Sequence, residues 1–145
     1  MKSRFLLLAA AAFLAGCSSF KVGQINRFLS DDGEFITVEY GSGDDVHKST
    51  FISPANGKEM TFESKLRVRV EMSDGERFMA YQCMNFLRSG TMYKSSDEKW
   101  MYHANGFTCS VYLRDEEKLD TVGRPLYRNV YNGVVSQAPV KPEGR

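Results

Sequence analysis

From Phe62 to Met72 the chain alternates, with Phe62, Leu66, Val68, Val70 and Met72 on one side and Glu63, Lys65, Arg67, Arg69 and Glu71 on the other. A period of two fits a half-buried strand and no helix, in which apolar residues return every three or four positions. The run is long for one strand, so a bend or bulge is expected near Ser64. Asp74-Gly75 follows and reads as a two-residue hairpin turn. That turn sets Val70 opposite Met79, Val68 opposite Tyr81 and Leu66 opposite Cys83, so apolar faces meet. Asn105-Gly106 repeats the signal and sets Ala104 opposite Phe107, Tyr102 opposite Cys109 and Trp100 opposite Val111. Cys83 and Cys109 both fall on inward faces in this register.

The rest of the chain carries weaker β signals. Ile36, Val38 and Tyr40 alternate with Phe35, Thr37 and Glu39; Gly41 to Asp45 reads as loop, Pro54 to Gly57 as a turn, and Leu126 to Tyr131 as an edge strand. About six or seven short strands joined by hairpins predict an all-β antiparallel sandwich or small barrel. The Cys83, Trp100, Cys109 spacing is too short for an immunoglobulin inter-sheet bridge. Ahead of the strands, Ile25, Phe28 and Leu29 stand at helical spacing before Asp31-Asp32-Gly33, which predicts a short amphipathic helix.

The N-terminus has a different character. Lys2 and Arg4 precede the apolar run Phe5 to Leu14, which has secretory-signal length and is too short to cross a bilayer. The following Leu14-Ala15-Gly16-Cys17 resembles the lipobox of bacterial lipoproteins. That resemblance implies cleavage before Cys17 and acylation of its thiol, with palmitate-like chains. Two or more buried acyl chains hold a protein stably at a membrane. Ser18-Ser19 stands where an inner-membrane retention signal would place Asp, so the resemblance implies the outer membrane, with a periplasm-facing domain expected ahead of a surface-exposed one. The expected organisation is signal 1–16, lipidated tether and amphipathic segment 17–33, one β domain 34–135 and a disordered tail 136–145.

Cleavage would leave 129 residues, one domain's worth, with seventeen basic groups against eighteen acidic ones. That near-neutral balance argues against a nucleic-acid binder, which needs a basic patch. With Cys17 lipidated, Cys83 and Cys109 remain as a pair in an oxidising compartment. The arithmetic favours one disulfide, with two buried thiols as the alternative. No zinc-like spacing surrounds either cysteine, and neither a metal nor a cofactor is expected.

Catalytic signatures are sparse. No Gly-x-Ser-x-Gly or phosphate-binding glycine loop is present, and the histidines are His47, in a loop beside Asp44-Asp45, and His103, on the polar side of its hairpin. Tyr93, Trp100, Tyr112, Tyr127 and Tyr131 are core aromatics or the lining of a ligand groove. In the predicted register Phe78, Met84 and Phe86 point outward beside Arg67 and Arg69, the composition of a protein–protein contact. Ser89-Gly90-Thr91-Met92-Tyr93 and Tyr81-Gln82-Cys83 resemble elements of the lipoprotein inhibitors of c-type lysozyme, small disulfide-bonded β-barrels. Here the two elements nearly abut, whereas in that family Tyr-x-Cys lies well upstream. The expected function is a non-catalytic envelope lipoprotein that binds a protein partner or supports an envelope assembly. Alternatives are an inhibitor of a secreted hydrolase such as lysozyme, in which Ser89 and Tyr93 would matter, and an enzyme or small-ligand binder using His47, Asp44 and Asp45.

Overall fold

The alternation resolves into eight strands: β1 (Lys21–Leu29), β2 (Phe35–Ile52), β3 (Glu59–Glu71), β4 (Arg77–Phe86), β5 (Gly90–Lys94), β6 (Trp100–Asn105), β7 (Thr108–Leu119) and β8 (Pro125–Val135). Each pairs antiparallel with the next, and β8 returns to β1, closing an up-and-down barrel. The computed structural model describes residues 20–53, 55–86, 89–121 and 123–136. The signal, Cys17 and the tail 137–145 lie outside the described residues.

The expected all-β class holds, and the sheet is a barrel rather than a sandwich. The segment with Ile25, Phe28 and Leu29 is β1 and not a helix. Asn26 and Phe28 alternate into the interior at 6% and 1% exposure, so a period of two wins over the helical spacing. The barrel's described strands therefore begin at Lys21, ahead of the domain start expected at residue 34.

Eight strands leave an interior just wide enough for side chains to fill. Ile36, Val38, Val68, Val70, Tyr102 and Val111 are fully buried there, with Phe78 stacked on Trp100 at 4.6 Å between ring centroids and 3° between planes.

Three hairpins share one turn. Gly33 N donates to Ser30 O, Gly75 N to Met72 O and Gly123 N to Asp120 O, while Ser30, Met72 and Asp120 each donate to the carbonyl four residues on. Each loop thus holds three residues and ends in glycine at φ 86°, 89° and 85°, the left-handed position such loops require. Asp74-Gly75 is consequently the second half of a three-residue loop. Val70 pairs with Phe78 and Val68 with Ala80. One residue of register turns every side chain to the other face. Phe78, Ala80 and Gln82 are buried, and Met79, Tyr81 and Cys83 take the outer positions predicted for Phe78 and its neighbours.

The second turn corrects differently. Its central residues are Gly106 and Phe107, Ala104 pairs with Cys109, and Tyr102 with Val111. That is a shift of two from the expected register, which leaves Trp100, Tyr102, Cys109 and Val111 inward as expected.

The expected bend near Ser64 is present, but the extra residues sit on the partner strand. Pairing jumps from Ser42↔Leu66 to His47↔Ser64, so residues 43–46 of β2 bulge opposite one residue of β3 and the expected loop is part of a long strand. Arg67 fills the bulge. Its Nη2 donates to Asp45 O at 2.8 Å, its guanidinium lies 4.9 Å from the Tyr81 ring centroid, and His47 stacks on the same ring at 4.5 Å. A Cβ on Gly43 would lie 2.2 Å from the Arg67 guanidinium carbon, so a side chain there would push the guanidinium from its place under the bulge.

Candidate functional site

The five residues expected to form a partner surface do not do so together. Phe78 is a core residue. Arg67 is 7% exposed beneath the β2 bulge. Arg69 lies on the outer face but is held by Glu39 through two hydrogen bonds of 2.7 and 3.0 Å, with Phe20 against its guanidinium. Met84 is half-buried on β4, paired with Met92. Phe86 ends β4 opposite Gly90, and its side chain lies outside the described residues. Glu71 and Arg77 form another ion pair on this wall at 2.7 Å. Charged pairs on outward positions are the reverse of the apolar band a bilayer-spanning barrel presents.

Cys83 and Cys109 are both thiols and lie on opposite sides of the wall. Cys109 is 2% exposed inside, whereas Cys83 donates weakly to Met92 O at 3.5 Å and lines an outer cleft. The expected disulfide is absent because the one-residue register of β4 carries Cys83 outward. Burial pushes both thiols up, Cys109 to about 12.

Inside, the polar atoms satisfy one another. The Tyr40 and Tyr102 hydroxyls share a short hydrogen bond, Asn26 bonds Tyr40, Gln24 donates to Asn26 Oδ1 at 2.9 Å, and Tyr102 bonds the Cys109 thiol. Tyr93 packs tilted against Tyr102 with ring centroids 5.9 Å apart. Burial raises all three tyrosines, Tyr40 and Tyr102 well above their usual range. Of the aromatics considered for a groove, Tyr93, Trp100 and Tyr131 are buried in this core while Tyr112 and Tyr127 are half-exposed, so they line no common surface.

His47 shares an open cleft of about 320 Å³ with Cys83, Lys94, Asp97 and Glu98. Asp44 and Asp45 are not among its described lining, and burial followed by the Arg67 charge lowers the His47 pKa. Among the described residues no group of three or more His, Cys, Asp and Glu could hold a metal ion. His103 lies outside as expected, with Nε2 bonded to Ser89 O. The Ser-Gly-x-x-Tyr element has a structural role at two of its positions. Gly90 has φ 97° and a Cβ there would lie 2.0 Å from Ala104 O, while Tyr93 is a core residue. Ser89 alone is exposed.

A different surface stands out at the barrel seam. Leu29 pairs with Phe35 on one side and Val134 on the other, and Val134 pairs with Thr108 beside Phe107. Phe107 is 76% exposed, Val134 54% and Phe35 38%. The Arg27 guanidinium lies 4.0 Å above the Phe35 ring, and among the described residues no ion pair occupies it. Aromatic rings with an arginine beside them make the composition of an energetic centre for protein contacts. Sequence reasoning missed this stripe because the two-residue turn placed Phe107 on an inward strand position. The available signal was Gly106 itself, since a glycine at the first central position makes the next residue a turn residue.

Compared with protein-family models, with curated proteins and with solved structures, the chain matches none.

Proposed function

We propose that this chain is a non-catalytic, membrane-anchored envelope protein that holds a protein partner through the stripe of Leu29, Phe35, Phe107 and Val134 with Arg27 at its edge. The observation that carries this reading is Phe107, a large apolar side chain 76% exposed at the β6–β7 turn. Phe35 and Val134 extend the apolar surface across strands, and Arg27 sets the chemistry of the partner: an apolar pocket with a carboxylate at its margin. The barrel interior is packed with side chains, which favours a surface function over a ligand carried inside. Anchoring at Cys17 rests on the lipobox resemblance and would hold the stripe at the membrane surface.

The test is a double variant, Phe107→Ser with Val134→Ser, expressed in the native cell. The expected result is a thermal midpoint equal to the parent's and loss of an envelope complex that the parent forms on a native gel. A complex of unchanged size and amount would contradict the reading.

A second reading, inhibition of a secreted hydrolase such as lysozyme, draws support from the barrel and from exposed Ser89. It predicts that the purified chain blocks muramidase activity and that Ser89→Ala relieves the block. Absence of any block would end it.

A further inference from the structure

Three consecutive strands set two methionines and a histidine in one row. Met84 on β4 pairs with Met92 on β5, and Met92 pairs with His103 on β6. Direct partners in an antiparallel ladder share a face, with Cβ atoms about 4.5–5.5 Å apart. That face is the outer one, because Tyr93 after Met92 and Tyr102 before His103 are buried in the core. All three side chains of the row are half-buried. The imidazole is already oriented. Its Nε2 is bonded to Ser89 O, and a carbonyl oxygen only accepts, so Nε2 carries the proton and Nδ1 keeps its lone pair. A metal-binding histidine almost always donates its other N–H to such a partner, which fixes the tautomer. Gly90 sets that partner in place. At φ 97°, and so near β6 that a Cβ would lie 2.0 Å from Ala104 O, it brings the start of β5 against the strand that carries His103.

We propose that Met84 Sδ, Met92 Sδ and His103 Nδ1 form a site for a soft monovalent cation, Cu(I). Thioethers are soft ligands that select such an ion over the hard cations that carboxylates hold. Two thioethers and a neutral imidazole carry no charge, which suits an ion with a single positive one. The three rotatable bonds of methionine let both sulfurs close on the imidazole while the strands stay in place. Among the described residues no set of three His, Cys, Asp and Glu competes for a metal. Lys94, the next outward residue of β5, sends its charge toward Tyr127, with Nζ 5.9 Å from that ring's centroid. Cys83, the extra residue of the β4 bulge, is a bystander. Its Sγ donates to Met92 O at 3.5 Å, and burial raises its pKa and so keeps the thiol protonated.

Silver(I), the redox-stable counterpart of Cu(I), is the probe, added to the full chain and followed by NMR. The ε-methyl resonances of Met84 and Met92 and the ring resonances of His103 should shift and saturate at one equivalent, while the methyls of Met72 and Met79 stay in place. Zn(II) should move none of them. Met84→Leu and Met92→Leu conserve volume, so each should keep the thermal midpoint and abolish the shift at His103. Cys83→Ser should leave every shift as it is. Unmoved Met84 and Met92 methyls in the full chain would overturn the inference. So would shifts that Cys83→Ser removes, which would assign the ion to the thiol. A His103 shift that survives both leucine variants, equal shifts at Met79, or the same response to Zn(II) would overturn the ligand set.

Discussion

The β2–β3 wall and the β8–β1 seam are made of the same kind of strand, yet they solve opposite problems. β2 and β3 pair along nearly their whole length, interrupted once by a bulge that Arg67 fills, and their outer face carries Glu39–Arg69 and Lys48–Glu63 ion pairs. Among the described residues the seam pairs at two positions, and its outer face is apolar, with Phe35, Phe107 and Val134 exposed and the Arg27 guanidinium over the Phe35 ring. Surface ion pairs contribute only about 0–1 kcal/mol each, so the wall's charges chiefly keep it solvated. Exposed aromatic surface has no such role in solubility. The difference locates stability in the core beneath both regions and leaves the seam as the surface proposed for recognition.

The largest expected effect separates the inside of the seam from its outside. Phe28 lies beneath it at 1% exposure, and Phe28→Ala should cost about 3–5 kcal/mol in urea unfolding, the range for emptying a buried aromatic site. Val134→Ala, beside it in the ladder but 54% exposed, should stay within about 0.5 kcal/mol. Similar costs for the two would break the distinction between core and docking surface.

A smaller effect probes the core shared by both regions. Burial holds Cys109 up to about 12 against its usual 9.0 and lifts Tyr102 well above its usual 10.0. An acid whose folded pKa is raised keeps its proton in the folded state after the unfolded chain has lost it. Its contribution to stability is therefore full below pH 9 and declines as pH rises through the range from 9 to 12. The urea midpoint should fall between about pH 8 and about pH 11. A flat profile would place these groups in contact with water.

Much of this architecture is legible in the residues. Alternation in Ile36 to Tyr40 and Phe62 to Met72 marks the strands, and the all-β class follows. The register is where reading fails, and the reason is local. Asp-Gly serves equally as the centre of a two-residue turn and as the end of a three-residue one, and the choice at Gly75 moves Phe78 inward and Cys83 outward together. The hydrophobic pattern could not arbitrate, because Phe78 and Ala80 on one face compete with Met79 and Tyr81 on the other. At Gly106 the error was an even number of residues, and the inward set survived it. β1 misled for another reason: its inward position 26 is Asn, satisfied by Gln24 and Tyr40, so its period of two is not written in apolar residues. The candidate surface was hidden behind the same turn ambiguity, since Phe107 reads as a strand residue until Gly106 is placed at the first turn position.

The most direct test of partner recognition at the seam is site-specific photo-crosslinking in the native cell, with the probe at position 107 and, separately, at position 69 on the ion-paired wall. The account predicts a discrete protein adduct from position 107 and none of that mass from position 69. No adduct from position 107, or the same adducts from both positions, would contradict it.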